Sequence, residues 1–521
     1  MLIGIDVGGT HTDAVLLNGR RVEAATKALT TADVTSGIVD ALDQIMLSSG
    51  LQVGAVNAIM IGTTQFTNAI IERKGLAETA ILRLGLPSGR GLPPMIDWPD
   101  DIAAAMGSHV YMIEGGTLYD GEPLAPLDET AVIQAIERAL VDGVRHFAVS
   151  GAFSPMRPTE ELWVRDQILM RATDAKVSLS HTFGRLGLLE RENAAALNAS
   201  LLSLADDTVT AFITAVTSRG FSCPVFISQN DGTVMNAETV KQFPALTFSS
   251  GPTNSLRGAM ILTGETDAVV IDIGGTTADI GILKGGFPRE SNLVIEVGGV
   301  RTNFRMPDIE AVGLGGGSLV TEDFTSIGPQ SVGHRLVEES RVFGGAQLTA
   351  TDIIVAAGFQ TIGDPAKVAD LPADGVRSAC RTMMQMLDRA IDRMKPSSTK
   401  LPAVLVGGGA ILATGDFEQA SSVIRPENAG VANAIGAAAA QVGGESERIL
   451  SYASLPRTEA IDLVTKDAVS KALASGADAH TLKTLDIEES EVPYMGSETM
   501  RVRVKVVGDL DLVPMEGRSG D

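Results

Sequence analysis

Two stretches of this chain carry the same chemical inventory at the same spacing. The first is Asp6-Val7-Gly8-Gly9-Thr10-His11-Thr12-Asp13, an acid followed by a glycine pair, hydroxyls and a second acid. The second, Asp272-Ile273-Gly274-Gly275-Thr276-Thr277-Ala278-Asp279, matches it acid for acid and glycine for glycine. Paired glycines let backbone N–H groups approach a phosphate, threonine hydroxyls donate to its oxygens, and an acid at the head of the turn holds a hydrated cation. One copy alone reads equally well as a Gly-Gly hairpin in a sheet. A glycine-dense loop, Gly313-Leu314-Gly315-Gly316-Gly317-Ser318, offers further amides to a phosphate, the alternative being a flexible connector.

Strands must deliver these turns. Apolar runs precede both, Leu2-Ile3-Gly4-Ile5 and Val269-Val270-Ile271, and a third run, Val404-Leu405-Val406, ends in Gly407-Gly408-Gly409. An internal repeat of strand and turn predicts two half-domains of like topology facing each other across a cleft. In chain order the three segments resemble the phosphate 1, phosphate 2 and adenosine motifs of the actin/Hsp70/sugar-kinase ATPase superfamily. That resemblance implies an α/β fold of two actin-like, ribonuclease H-like lobes around an ATP cleft. It also implies Asp6 and Asp272 positioning hydrated Mg2+ (or Mn2+), and Gly8, Gly9, Thr10, His11, Thr12, Gly274, Gly275, Thr276, Thr277 and Gly315 to Gly317 around the phosphates. Gly407, Gly408 and Gly409 would pass beside the adenosine.

A narrower resemblance rests on Gly62-Thr63-Thr64, Asn68 and Glu72-Arg73-Lys74-Gly75, on Val177-Ser178-Leu179-Ser180-His181, on residues 190–199, on Ser249-Ser250-Gly251-Pro252, and on the loop at 313–318. These are similar to the A-type subunit of the hydantoinase/oxoprolinase family. The resemblance implies ATP-dependent phosphorylation of the carbonyl oxygen of a cyclic amide (hydantoin, oxoproline or lactam), or of a ketone in a carboxylase branch. It implies a second, B-type or comparable subunit for the rest of the reaction, and Thr63, Thr64 and Asn68 near the substrate, although Thr63 or Thr64 serves equally as a helix N-cap. Asn254 and Ser255 stand where the family has small residues, and 334–343 is short and charged where larger members continue with Pro-Gly and Cys-rich sequence. No catalytic residue is assigned. A sugar-type or other small-molecule kinase would share the nucleotide motifs and need a base, for which Asp13, Asp279, Asp308, Glu310 and Asp352 are candidates. A non-enzymatic actin-like ATPase or chaperone is the remaining alternative.

The 521 residues suffice for two large lobes and an appendage, expected at 1–190, 191–442 and 443–521, the last a small α+β unit with a disordered end. A net charge of −23 opposes nucleic acid and anionic lipid as partners. Two cysteines, Cys223 and Cys380, support neither a disulfide framework nor a zinc site. The absence of a signal-like segment or long apolar span predicts a cytoplasmic protein, and homo-oligomerisation stays open. Local patterns predict a hairpin at Asn18-Gly19, a helix over 33–48, a Met-rich core helix over 382–394 and interlobe hydrogen bonds from Arg191 or Asn198. They also predict a linker at Gly443-Gly444-Glu445-Ser446, a helix over 457–475 and a strand over 500–506 whose basic face protects an exposed edge.

Overall fold

Runs with apolar residues at every position, such as Ala58-Ile59-Met60-Ile61 and Ala403-Val404-Leu405-Val406, suit central strands covered on both faces. The computed structural model describes residues 1–8, 11–29, 34–184, 187–291, 294–439, 441–492 and 498–512, and it places these runs at the centres of two sheets. The first sheet begins with β1 (Leu2–Val7), β2 (His11–Asn18), β3 (Arg21–Leu29) and β4 (Ala58–Thr63). The chain then builds a four-stranded parallel sheet from β5 (Thr79–Leu86), β6 (Val110–Glu114), β7 (His146–Gly151) and β8 (Lys176–Leu179), in the order β6-β5-β7-β8. It returns to complete the first sheet with β9 (Val225–Ser228) and β10 (Val234–Asn236), giving β10-β9-β4-β1-β2-β3.

The second lobe repeats this plan. Strands β11 (Ala268–Ile273), β12 (Ala278–Lys284) and β13 (Phe287–Pro288) precede a hairpin of β14 (Ile295–Val297) and β15 (Val300–Thr302). Strand β16 (Ile309–Val312) pairs with β12, β17 (Ser318–Val320) pairs with β18 (Ile327–Ser331), and β19 (Ala403–Val406) and β20 (Val423–Ile424) finish the sheet β13-β12-β11-β19-β20. The repeat in sequence is a repeat in register. β1 runs antiparallel to β2 and parallel to β4, as β11 does to β12 and β19, and Asp6 faces Asp13 as Asp272 faces Asp279. A mixed α/β fold of two actin-like lobes is thus what the sequence repeat specifies.

Several local expectations hold. Asn18 pairs with Arg21, leaving Gly19-Arg20 as the two-residue turn with Gly19 at φ 60°. The helix Val34–Ser49 buries Ile38, Ala41, Leu42 and Ile45. Met383 and Met394 of the helix Ala373–Met394 lie in the second-lobe core.

Other expectations need correction. The change of sheet does not fall at 190/191. The helix Leu188–Ser218 packs into the first-lobe core and β9 joins the first sheet, and the second sheet starts only with β11, after the helix Ser250–Thr263. Leu188–Ser218 is also long and apolar enough to cross a bilayer, but here its Ala194 to Leu202 stretch is buried inside the protein. Among the described residues, the hydrogen bonds of Arg191 and Asn198 stay within the first lobe instead of bridging the two. Arg191 donates to Ser180 and Gly151, and Asn198 to Ser178 and Gln242, all in the first lobe. The bridge is Asn193, which reaches the Arg301 carbonyl (2.8 Å) because the β14–β15 hairpin leaves the second lobe and buries Val297 and Val300 in the first-lobe core.

Gly443-Gly444-Glu445-Ser446 is not a linker but part of β21 (Gln441–Ser451), where a side chain at Gly444 would overlap the Ala468 carbonyl of the helix Arg457–Ala474. With β22 (Lys483–Glu491) and β23 (Thr499–Asp509) it forms the sheet β21-β23-β22. β23 is therefore central, not an edge. Its Val502, Val504 and Val506 pack with Val464 and Ala468 against Met60 and Phe226 of the first sheet. Its Arg503 and Lys505, 2% and 3% exposed, meet Glu290, Glu445 and Asp231. The basic face anchors the appendage to both lobes. The end expected to be disordered, 513–521, lies outside the described residues.

Candidate functional site

Two helices lie between the lobes and set the distance between the matched turns. Ser250–Thr263 and Ala432–Ala437 cross with backbone almost touching backbone: a side chain at Gly436 would overlap the Asn254 carbonyl, and one at Gly258 the Ala432 carbonyl. Gly4 of β1 makes the same approach to Ala434. Ala432, Ala434 and Gly436 thus serve helix-on-helix and helix-on-strand contact. The crossing aims three polar side chains at the strand ends. Ser255 donates to Asp272 and reaches Asn433, while Asn433 and Asn254 face Asp6. Asn254 Nδ2 is buried beside Gly62 and the Asp6 carboxylate, which its amide helps to hold ionised. The departure noted at Asn254 and Ser255 therefore falls on residues that touch both acids of the candidate site.

Four carboxylates converge here with little cation to balance them. Lys27 of β3 binds both oxygens of Asp13, at 2.6 and 2.7 Å. Burial and the neighbouring Asp13 push Asp6 up to about 6 against hydrogen bonding from Asn433 and Asn254. Burial and then Asp272 push Asp279 up to about 6 as well. Asp272 is raised by burial, less the effect of Ser255 and Lys27. Acids whose ionisation is opposed by burial and, further, by one another form a cluster whose charge a divalent cation would offset. Among the described residues no three His, Cys, Asp or Glu side chains are grouped to chelate a bare ion. Carboxylates so spaced suit a cation that keeps its water shell better than one stripped of it.

The second turn is braced from beneath. Gly274 N–H closes it on Thr277 O at 2.8 Å, Gly316 donates to Gly274 O at 3.0 Å and Gly317 to Gly275 O at 2.7 Å, while Gly315 donates to Ser318 Oγ at 2.8 Å. The three amides at 315–317 are thus spent on the turn and the loop itself, and their expected role as a phosphate cradle is corrected to that of a support. Gly407 and Gly409 likewise donate to Ala429 and Ile273, and a side chain at either would strike Asp272 or Gly274. Gly408, Gly275, Thr276 and Thr277 are exposed at the cleft. In the first turn Asp6 and Gly8 line the corresponding place, and Thr12 is fully buried opposite Val7, which removes its hydroxyl from the surface. Gly9 and Thr10 lie outside the described residues, as does the side chain of His11.

Thr63 and Thr64 close β4 one strand from Asp6. Thr63 Oγ1 accepts from Gln65 N–H (3.2 Å), and Thr64 takes the N-cap position of Gln65–Glu72 without a side-chain cap, accepting instead from Asn68 Nδ2 (3.3 Å). Ser250 Oγ donates to Thr63 O (3.1 Å), so the start of the interlobe helix sits on this turn. Of the candidate bases, Asp308 is paired with Arg289 and Glu310 with Arg393, each at 2.6 Å, and Asp352 closes a capping box with Thr349. Only Asp13 and Asp279 remain at the cleft. Sequence reasoning missed Lys27 and Asn433. Strand pairing of Asp13 with Lys27 becomes visible once the hairpin register is counted from Asn18. Nothing local marks Asn433.

Comparisons with known proteins bear on the family and the fold. The family model for the hydantoinase/oxoprolinase N-terminal region matches residues 2–171, and that for hydantoinase/oxoprolinase matches residues 191–362. The caprolactamase alpha subunit of Pseudomonas jessenii is 26% identical over 387 residues, 69% of this chain and 55% of the relative. The acetophenone carboxylase gamma subunit of Aromatoleum aromaticum is 26% identical over 396 residues, 68% of this chain and 53% of the relative. 5-Oxoprolinase 1 of Arabidopsis thaliana is 25% identical over 406 residues, covering 68% and 31%. The chain spans about half the length of the first two of these relatives. Among solved structures, ATP-dependent caprolactamase from Pseudomonas jessenii superposes with a TM-score of 0.81 at 19% identity, over 99% of this chain and 88% of that one. Nucleotide-free acetone carboxylase gives 0.67 at 18% identity over 98% and 88%; both establish the shared fold. With the two family models together running from residue 2 to residue 362, the chain belongs to the hydantoinase/oxoprolinase family.

Proposed function

We propose that this chain is the ATP-using component of an enzyme that activates a cyclic amide, of hydantoin, oxoproline or lactam type, by phosphorylating its carbonyl oxygen. The observation that carries this reading is the facing pair of turns, in which Asp6 with Asp13 and Asp272 with Asp279 occupy equivalent positions around two crossed helices. A triphosphate is the kind of ligand that uses donors from both sides, with the lobes closing to exclude water. Asp6 and Asp272 would position hydrated Mg2+ or Mn2+, which neutralises charge on the phosphates. Exposed Gly275, Thr276 and Thr277, with Gly8, Gly9 and Thr10 opposite, would approach the phosphates, and Gly408 the adenosine. Thr63, Thr64 and Asn68 stand where the second substrate would enter.

Activation of this sort converts a poor leaving oxygen into a good one, and ring opening then needs an activated water or another nucleophile. Two of the relatives are named as subunits, which supports a second component for that half of the reaction. A cytoplasmic setting belongs to the same reading, since ATP is held there. A small-molecule kinase is the competing reading, with Asp13 or Asp279 as its base. The experiment that separates them is product analysis with Mg·ATP across hydantoins, lactams and oxoproline, with and without the product of the neighbouring gene. Ring-dependent phosphate release with an opened ring supports the proposal, and a stable phosphate ester would replace it with the kinase. Full ring-opening turnover by the lone chain at the reconstituted rate would remove the second subunit from the account.

A further inference from the structure

The two lobes carry the same turn in different surroundings. Asp6 faces Asp13 across β1 and β2, and Asp13 faces Lys27 across β2 and β3, so the three side chains stand in one row on one face of the first sheet. In the second lobe Asp272 faces Asp279, and the residue facing Asp279 is Ala311 of β16. The acid pair is repeated and the lysine is not. Asp279 keeps its place beside the second turn with an alanine opposite, so the architecture of the turn does not call for a cation there. An ion pair as exposed as that of Lys27, whose side chain is 45% exposed, also contributes little to stability. The lysine is therefore better explained by something that enters the cleft.

Its geometry suits that use. The two oxygens of Asp13, at 2.6 and 2.7 Å from Lys27 Nζ, fix the end of a long and otherwise flexible side chain. An ammonium has three N–H groups, and among the described residues Asp13 takes two of them and leaves the third to the cleft. The charge is felt on the far lobe: burial raises the Asp272 pKa, and Ser255 and then Lys27 oppose the rise. The side of the cleft is also defined. Thr63 ends the strand on one side of β1, and Lys27 lies two strands away on the other, roughly 14 Å from Thr63 at the usual strand spacing. The segment Ala429–Val431 packs on β2, β3 and β19, and Ala429 O accepts from Gly407 N–H at 2.9 Å. Lys27 thus shares a side with the glycines at 407–409, opposite the Thr63-Thr64 turn.

We infer that Lys27 is a catalytic residue that binds the β-phosphate of the nucleotide, the part that leaves as ADP, and that Asp13 is its positioning residue. The inference rests on the cleft holding ATP, as proposed above, and is independent of the acceptor. A triphosphate with its nucleoside by Gly408 and its transferred phosphate toward Thr63 and Thr64 passes Lys27 with the phosphates nearer the nucleoside. As the acceptor oxygen bonds to the γ-phosphorus, the bond from that phosphorus to the β–γ bridging oxygen breaks, and its electron pair stays on ADP. Lys27 meets this growing charge with an N–H hydrogen bond and keeps its proton. The ammonium is already held in place by Asp13, so little reorganisation is needed when the charge develops.

The test uses the full chain with Mg2+ and three nucleotides: AMP, ADP and a non-hydrolysable ATP analogue. In the wild type, ADP and the analogue should slow acetylation of Lys27 by an amine-selective reagent, read by peptide mass spectrometry, and AMP should not. Lys27→Met should weaken ADP and the analogue in calorimetry by about tenfold or more with AMP kept within about threefold, and Lys27→Arg should recover part of the loss. At saturating Mg·ATP, ADP formation by Lys27→Met should fall by about 100-fold or more. Lys27→Met combined with Asp13→Asn should bind ADP no better than Lys27→Met alone. Lys27→Gln replaces Lys27→Met if the latter does not fold, and the acetylation experiment needs no variant. Recovered ADP affinity in the double variant would overturn the inference, because the lysine would then act only by neutralising Asp13. Protection by the analogue but not by ADP would overturn it by placing Lys27 on the transferred phosphate, and a saturated rate within about threefold of wild type would overturn the catalytic role. Unprotected Lys27, with ADP affinity in Lys27→Met within about threefold of wild type, would overturn the inference and leave the proposed function standing. Failure of the wild type to bind ADP or the analogue would remove the function and the inference together.

Discussion

Replacing Asp6 by Asn should make the nucleotide-free protein more stable and its metal-dependent step worse. Asp6 titrates near 6 in the folded chain against an ordinary value of 3.8, mainly through burial and the neighbouring Asp13. A carboxyl whose folded pKa is raised binds its proton more tightly in the native state than in the unfolded one. Its ionisation therefore costs nothing below about pH 4, costs progressively more through pH 4 to 6, and carries its full penalty above about pH 6. A shift of about two units corresponds to about 3 kcal/mol, which solvent reaching Asp6 from the cleft reduces toward about 1. Asp6→Asn should thus gain about 1–3 kcal/mol over wild type in urea unfolding at pH 7.5 without metal, and close to nothing at pH 4. Adding Mg·ATP should reverse the order, because the cation requires the charge that the variant lacks. A variant less stable than wild type at pH 7.5, or one with the same gain at both pH values, would refute the electrostatic reasoning.

The equivalent Asp272→Asn should weaken hydrolysis most at limiting Mg2+; an unchanged Mg2+ dependence would take Asp272 out of the metal role. Gly258→Ala should cost several kcal/mol in denaturant unfolding, since its methyl meets the Ala432 carbonyl, whereas Gly275→Ala meets nothing and should shift stability by less than about 1 kcal/mol while weakening ATP in calorimetry. Lys505→Met leaves Asp231 without its buried cation, while Glu290 keeps Arg503 and Arg305, and should cost about 3–5 kcal/mol, read by denaturation and by earlier proteolysis of the C-terminal sheet. A non-hydrolysable ATP analogue should compact the molecule in solution scattering by closing the lobes, and calorimetric binding without compaction would exclude closure.

What the sequence disclosed best was whatever local chemistry encodes. Acid, glycines and hydroxyls must follow an apolar strand to form such a turn, and two copies forced the two-lobe arrangement with its Asp6–Asp13 and Asp272–Asp279 registers. Less visible were contacts whose partners are distant in the chain. The glycines at 315–317 have the composition of a phosphate loop, yet their amides are consumed by Gly274, Gly275 and Ser318, which no spacing rule reveals. Arg503 and Lys505 alternate as an edge strand's charges would, and only the pairing of β23 between β21 and β22 shows that they are buried against Glu290 and Asp231. Which sheet the helix Leu188–Ser218 covers was not legible because its apolar residues form no directional stripe to say which core it enters.

Isotope transfer tests the central claim most directly. The chain is incubated with Mg·ATP, the proposed second subunit and hydantoin or lactam labelled with 18O at the reacting carbonyl, and the released phosphate is examined by 31P NMR. Phosphorylation of the carbonyl oxygen predicts one 18O atom in each phosphate produced with ring opening. Unlabelled phosphate, with the 18O retained in the opened product, would contradict it.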